Sequence, residues 1–147
     1  MARSDFWMLE RIRVRFTEVD IQGIVQNGAY LTYFSVALNE YFRHLPFDRV
    51  AEDARAQAGL HVVHAEIDYL APLRFDEIFE IGARVSRLGR SSFTLSYEIF
   101  RADSEESVAR GHQIWVNTSQ VTRKAIPLAD AFRERVTARE GDRVDIA

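Results

Sequence analysis

The chain has 147 residues, of which 47% are hydrophobic and 28% charged, the composition of one folded domain and not of a disordered segment. Its 22 acids and 19 bases leave a net charge of −3 with the bases scattered along the chain, so nucleic acid is not an expected partner. Cysteine is absent, which excludes disulfides, thiol nucleophiles and cysteine-ligated metal centres, and no apolar run reaches the roughly 18 residues of a membrane span, so a cytoplasmic protein with no membrane partner is expected.

Residues 11–17 alternate, with Ile12, Val14 and Phe16 on one face and three arginines on the other, which predicts a half-buried strand. After a connector at 18–28, Tyr30, Leu31, Tyr33, Phe34, Val36, Ala37, Leu38, Tyr41 and Phe42 are too dense for a single stripe, which predicts a buried helix. Asn27 is its expected N-cap and Pro46 lies beyond its end, giving about 18 residues, or roughly 27 Å. A shorter helix is expected at 48–58, capped by Asp48 and ended by Gly59. Period-two patterns then predict strands at 60–71, 77–88, 92–101 and 107–118, the gaps at Gly89-Arg90 and 102–105 being short enough for antiparallel hairpins. Leu128, Phe132 and Val136 predict a terminal amphipathic helix at about 128–139, followed by a frayed tail. The order is α+β: five strands in an antiparallel sheet able to wrap one long central helix, in a single domain over 1–147.

The connector carries two carboxylates and two glycines into the start of a buried helix. A helix start presents unpaired N–H groups and about half a positive charge, so it can hold a negatively charged oxygen. If the connector folds back, Asp20 and the N–H groups near Asn27 and Gly28 flank one carbonyl, the carboxylate as base or nucleophile and the N–H groups as oxyanion hole. The alternative for Asp20 alone is a turn-forming acid bonded to nearby backbone. Glu18 reads as a solvated or supporting carboxylate.

Residues 14–31, VRFTEVDIQGIVQNGAYL, resemble the signature of the 4-hydroxybenzoyl-CoA thioesterase family of hotdog-fold acyl-CoA thioesterases through Asp20, Gly23, Ile24, Val25 and Tyr30. The segments Glu66-Ile67-Asp68-Tyr69-Leu70-Ala71-Pro72 and Gly89-Arg90-Ser91-Ser92-Phe93 also look like that family, over a core of about 9–128. Gln26, Asn27, Gly28 and Ala29 stand where many bacterial relatives carry an aromatic residue, a histidine and an asparagine. The resemblance implies hydrolysis of an acyl- or aroyl-CoA thioester, with Asp20 attacking the carbonyl or activating water and a backbone N–H at the helix start polarising the carbonyl oxygen. It also implies a homodimer or homotetramer, coenzyme A only as part of the substrate, and no cofactor. Two other readings stay open: hydrolysis of acyl groups on a carrier protein, and a non-catalytic acyl-ligand binding domain.

Among the aromatics of the buried helix, Tyr30 and Phe34 sit one turn apart near its start, where an acyl group would lie, although most such residues are core. His64, with Glu66 on the same strand face, is a candidate pocket residue or a plain sheet-surface histidine. Arg87, Arg90, Arg123 and Lys124 are candidates for the phosphates of coenzyme A, Arg90 foremost because its turn resembles a family segment. His61 and His64 point to opposite faces of a strand, and His44 and His112 have no partner in sequence, so no metal site is expected.

Overall fold

In the computed structural model, which describes residues 1–147, the first strand is shorter and earlier than the alternation predicts: β1 is Leu9–Arg13. The backbone then turns through a 3-10 segment at Phe16–Glu18, and Phe16 stands 77% exposed while Val14 is buried. Period-two patterning cannot register that break, because the turn is fixed by a carboxylate three residues on: Glu18 accepts the Arg15 N–H at 2.8 Å.

Helix α1 is Ala29–His44, 16 residues, and it buries Tyr33, Phe34, Ala37 and Tyr41 completely or nearly so. It begins one residue later than an N-cap at Asn27 predicts, and the Asn27 side chain accepts the adjacent Gly28 N–H at 3.0 Å instead of a donor in the first turn. Helix α2 is Arg49–Ala56, capped by Asp48 as expected, with its side chain accepting from Ala51. Its terminator is Gln57, left-handed at φ 49°, and not Gly59, which lies inside the next strand.

Strands β2 (Ala58–Tyr69), β3 (Ile78–Leu88), β4 (Ser92–Arg101) and β5 (Ser107–Ser119) follow, and the sheet order is β1-β3-β4-β5-β2. Both short gaps are therefore hairpin connections between sheet neighbours. β2 ends the sheet, and Val63 on it is 62% exposed, with no cover from the rest of the chain. Helix α3 is Asp130–Glu140. The tail beyond it is not frayed: β6 (Asp145–Ile146) pairs parallel with β3 at Arg87 and Leu88, and the Ala147 N–H reaches Leu88 O at 2.9 Å. The reason is an unoccupied edge, since β1 pairs with β3 only along Ile78 to Gly82 and leaves its other half open.

The residues fall into two compact units. The first holds Met1–Glu40, Ile67–Ala83 and Tyr97–Gly111, and the second Tyr41–Glu66, Arg84–Ser96 and His112–Ala147. In the first, Phe34 stacks on Tyr97 with ring centroids 4.1 Å apart, and Tyr33 packs on Phe79 at 4.6 Å. In the second, Phe42, Phe93 and Phe132 form a mutual cluster, and the Tyr41 hydroxyl donates to the buried Glu140 at 2.8 Å. Gly82 is required by close approach, since an added Cβ would lie 2.4 Å from the buried Phe6 ring. Gly82→Ala is expected to destabilise the fold by about 1–3 kcal/mol through overpacking, read as a lower midpoint in urea at unchanged slope.

Candidate active-site cleft

The connector folds as a narrow ribbon. Gln26 N–H bonds Glu18 O and Asp20 N–H bonds Ile24 O, both at 2.9 Å, with Val19 bridged to Val25. The turn closes through Gly23, whose N–H returns to Asp20 O at 2.9 Å and whose φ of +77° favours glycine. A second line of bonds fixes the ribbon to the segment after β2, with Val25 N–H on Leu73 O at 2.8 Å and Ile24 bridged to Arg74.

Glu18 anchors this ribbon to α1. The residue is 6% exposed, and its carboxylate takes the Arg15 guanidinium at 2.8 and 2.6 Å, the Arg15 N–H, and the Tyr33 hydroxyl at 2.9 Å. Burial by itself raises its pKa, but the Arg15 and Tyr33 hydrogen bonds outweigh that and hold it below the ordinary carboxylate value. The Tyr33 hydroxyl is pushed up, first by burial and then by the facing carboxylate. Glu18 is thus a structural carboxylate that sequence reasoning undervalued. The available signal was its place three residues after Arg15, which suits a local ion pair.

Asp20, Gln26, Asn27 and Tyr30 on one segment and residues 69–72 on another line the walls of a cleft of about 640 Å³. Tyr69 ties the walls together: its hydroxyl donates to the Asn27 carbonyl at 3.0 Å, and its ring meets Tyr30 edge-on at 5.1 Å. Asp20 Oδ1 accepts the Gln22 N–H at 2.8 Å, so the residue is a turn former as well as a candidate base, and its Oδ2 has no protein partner. The Asn27 N–H likewise donates to nothing in the chain, whereas the Gly28 N–H is occupied by the Asn27 side chain. Residues lining one cleft thus carry a free carboxylate oxygen and an unused backbone donor, the kinds of group that acyl transfer to water uses.

The structure brings together Asp20, Asn27 and Tyr30 from the predicted residues. Gly28 is exposed beside them without lining the cleft. Phe34 is corrected to a core residue: it is fully buried and stacked on Tyr97, because one turn along α1 already points into the protein. His64 is exposed on β2, with Glu66 and with His112 of β5, a residue for which the sequence offers no neighbour. Arg87, Arg90, Arg123 and Lys124 are exposed in the second unit, the last two on a turn closed by Arg123 N–H on Ser119 O, and none lines the cleft. A separate pocket of about 300 Å³ in the second unit, lined by Phe42, Phe47, Leu60 and Leu128 among others, holds none of the predicted site residues.

Comparison with known proteins supplies the context for this geometry. The family model described as the thioesterase-like superfamily matches residues 14–136. A protein of Aquifex aeolicus provisionally named an esterase is 33% identical over 115 residues, 76% of this chain and 86% of the relative. A 1,4-dihydroxy-2-naphthoyl-CoA hydrolase of Synechococcus elongatus is 27% identical over 122 residues, 82% of this chain and 88% of that enzyme. Among solved structures, a thioesterase of Thermus thermophilus complexed with coenzyme A and Zn matches with a TM-score of 0.77 at 30% identity, covering 93% of this chain and 96% of that one.

Proposed function

Because this chain belongs to the thioesterase-like superfamily, we propose that it is a thioester hydrolase that cleaves an acyl- or aroyl-CoA to the free acid and coenzyme A, with Asp20 as its catalytic carboxylate. The observation that carries this reading is the shared cleft: Asp20 with a free Oδ2 and Asn27 with a free N–H both line it. The thioester carbonyl accepts the Asn27 N–H, so the negative charge that develops on its oxygen is met by a donor already in place. Asp20 then takes one of two routes. It either takes the proton of an attacking water and passes it to the departing thiolate, so that the free acid forms directly, or attacks the carbonyl carbon itself. That attack forms a mixed anhydride as the coenzyme A thiolate leaves and takes a proton from solvent, after which a water hydrolyses the anhydride to the free acid and restores the carboxylate. The chemistry uses a carboxylate, water and backbone, and needs no cofactor. Tyr30 and Tyr69 shape the acyl side of the cleft, and the exposed Arg87, Arg90, Arg123 and Lys124 are the groups offered to the phosphates of coenzyme A.

We read the architecture as a hotdog domain with the sheet wrapped around α1 and with a second copy completing the site, as a homodimer or a pair of dimers. The support is the 12-residue strand β2 at the sheet edge, which leaves Val62, Val63 and Tyr69 exposed, as is Leu70 just after it. An uncovered apolar edge of that length invites pairing with another chain. Action in the cytoplasm belongs to the same reading. No helix is long and apolar enough to cross a membrane.

The experiment for the substrate class compares thiol release from short, long and aromatic acyl-CoAs with release of the same acyl groups from a phosphopantetheinyl carrier protein. The highest kcat/KM is expected on a CoA ester. A higher value on the carrier would transfer the reading to carrier-bound substrates.

The oxyanion role makes a separate prediction. Its donor is backbone, so Asn27→Ala keeps that N–H and frees the Gly28 N–H besides. Turnover is expected to change by less than about tenfold, against the roughly 10²–10³ typical of losing such a donor.

A further inference from the structure

Strand β2 lies beside β5 in the sheet, and residues two apart on a strand share a face, so His64 and Glu66 stand together on β2. The structure adds His112 from β5. Glu66 Oε2 lies 3.5 Å from Nε2 of His64 and 3.5 Å from Nε2 of His112. The two imidazole rings are 5.4 Å apart and tilted by 30°, and one ligand atom from each of the three residues lies within 4.8 Å of the other two.

These distances have a simple reference. Tetrahedral zinc with bonds of about 2.0–2.2 Å holds its ligand atoms roughly 3.4 Å apart. Two of the three edges of this triangle already have about that length. The third closes by side-chain rotation, which is open to these residues because Glu66 and His64 are about half exposed and His112 is a third exposed. Two imidazoles and one carboxylate suit zinc and its transition-metal neighbours, whereas calcium and magnesium take oxygen ligands.

We propose that His64, Glu66 and His112 form a three-ligand site for a zinc-class divalent ion, with the fourth position open to water or to an anionic oxygen. The ion would tie the edge strand β2 to β5. None of the three residues lines the cleft that holds Asp20, so metal binding is tested apart from hydrolysis; His64 and Glu66 do lie on β2, the edge read above as meeting a second copy.

The test uses untagged full-length protein freed of metal by a chelator and titrated with Zn2+ by calorimetry, with Co2+ as a spectroscopic probe. Wild type is expected to bind one equivalent per chain with a rise in melting temperature, and to give the intense visible absorption of four-coordinate Co2+. His112→Ala should bind at least tenfold more weakly and lose that absorption, while keeping its wild-type circular dichroism because the side chain is at the surface. His61→Ala, which removes a histidine held instead near Gln120, should bind like wild type. Equal binding by wild type and His112→Ala would overturn the proposal, as would the absence of saturable binding or an equal loss in His61→Ala.

Discussion

Asp20→Asn is expected to lower kcat for thioester hydrolysis by roughly 10³-fold while leaving acyl-CoA binding within a few-fold of wild type. The substitution is nearly isosteric, and its amide oxygen can still accept the Gln22 N–H that Asp20 Oδ1 accepts at 2.8 Å. The Asp20-to-Gly23 turn, the ribbon and the cleft wall therefore persist, and what disappears is the free, charged oxygen. That separates chemistry from folding. Asp20→Ala would be a poorer probe, since it removes the turn bond along with the charge. Stopped-flow thiol release together with calorimetric titration of a non-hydrolysable acyl-CoA thioether reads both quantities. A drop in binding that matches the drop in turnover would assign Asp20 to shaping the turn instead of to catalysis.

Glu18→Ala is expected to destabilise the fold by about 1.5–3 kcal/mol, the size of a lost charged hydrogen bond together with a buried group left unpaired. Arg15 is largely exposed and returns to water, but the Tyr33 hydroxyl is buried and loses the carboxylate that accepts it. Glu18→Gln keeps an acceptor for Tyr33 and should lose distinctly less. The sign with pH follows from the lowered pKa. Stability from Glu18 is fully present above about pH 4.5, the ordinary value, and is lost as the pH falls through the lower folded value. Urea midpoints measured from pH 7 downward should therefore converge for wild type and Glu18→Gln in acid. A gap that stayed constant down to strongly acidic pH would contradict the assignment.

The strands and both longer helices were legible from periodicity because each buries one face or stripe in a regular way. β4 begins and ends where alternation predicts, and α2 begins at the cap that Asp48 predicts. What periodicity missed was decided by contacts remote in sequence or by local polar bonds. The strand predicted through Phe16 gives way to a turn because Glu18 captures Arg15. The tail predicted to fray becomes β6 because half of β3 was left open for it.

The site shows the same division. Asp20, Asn27 and Tyr30 were readable because they sit in one continuous motif that closes on itself as a ribbon. The far wall at residues 69–72 was readable only as a resemblance, since nothing in the sequence brings Tyr69 to the Asn27 carbonyl. Phe34 was misread because helical spacing places a residue one turn along but does not say which way the helix is turned. The grouping of His64 and Glu66 with His112 was invisible for want of the β2 and β5 pairing.

The most direct measurement is the fate of an acyl-CoA incubated with the wild-type protein, followed by thiol release and by mass spectrometry of the acid. Catalytic hydrolysis predicts many turnovers, with free coenzyme A and free acid formed one to one. Tight retention of intact acyl-CoA with no thiol released would contradict it and leave a binding domain in its place.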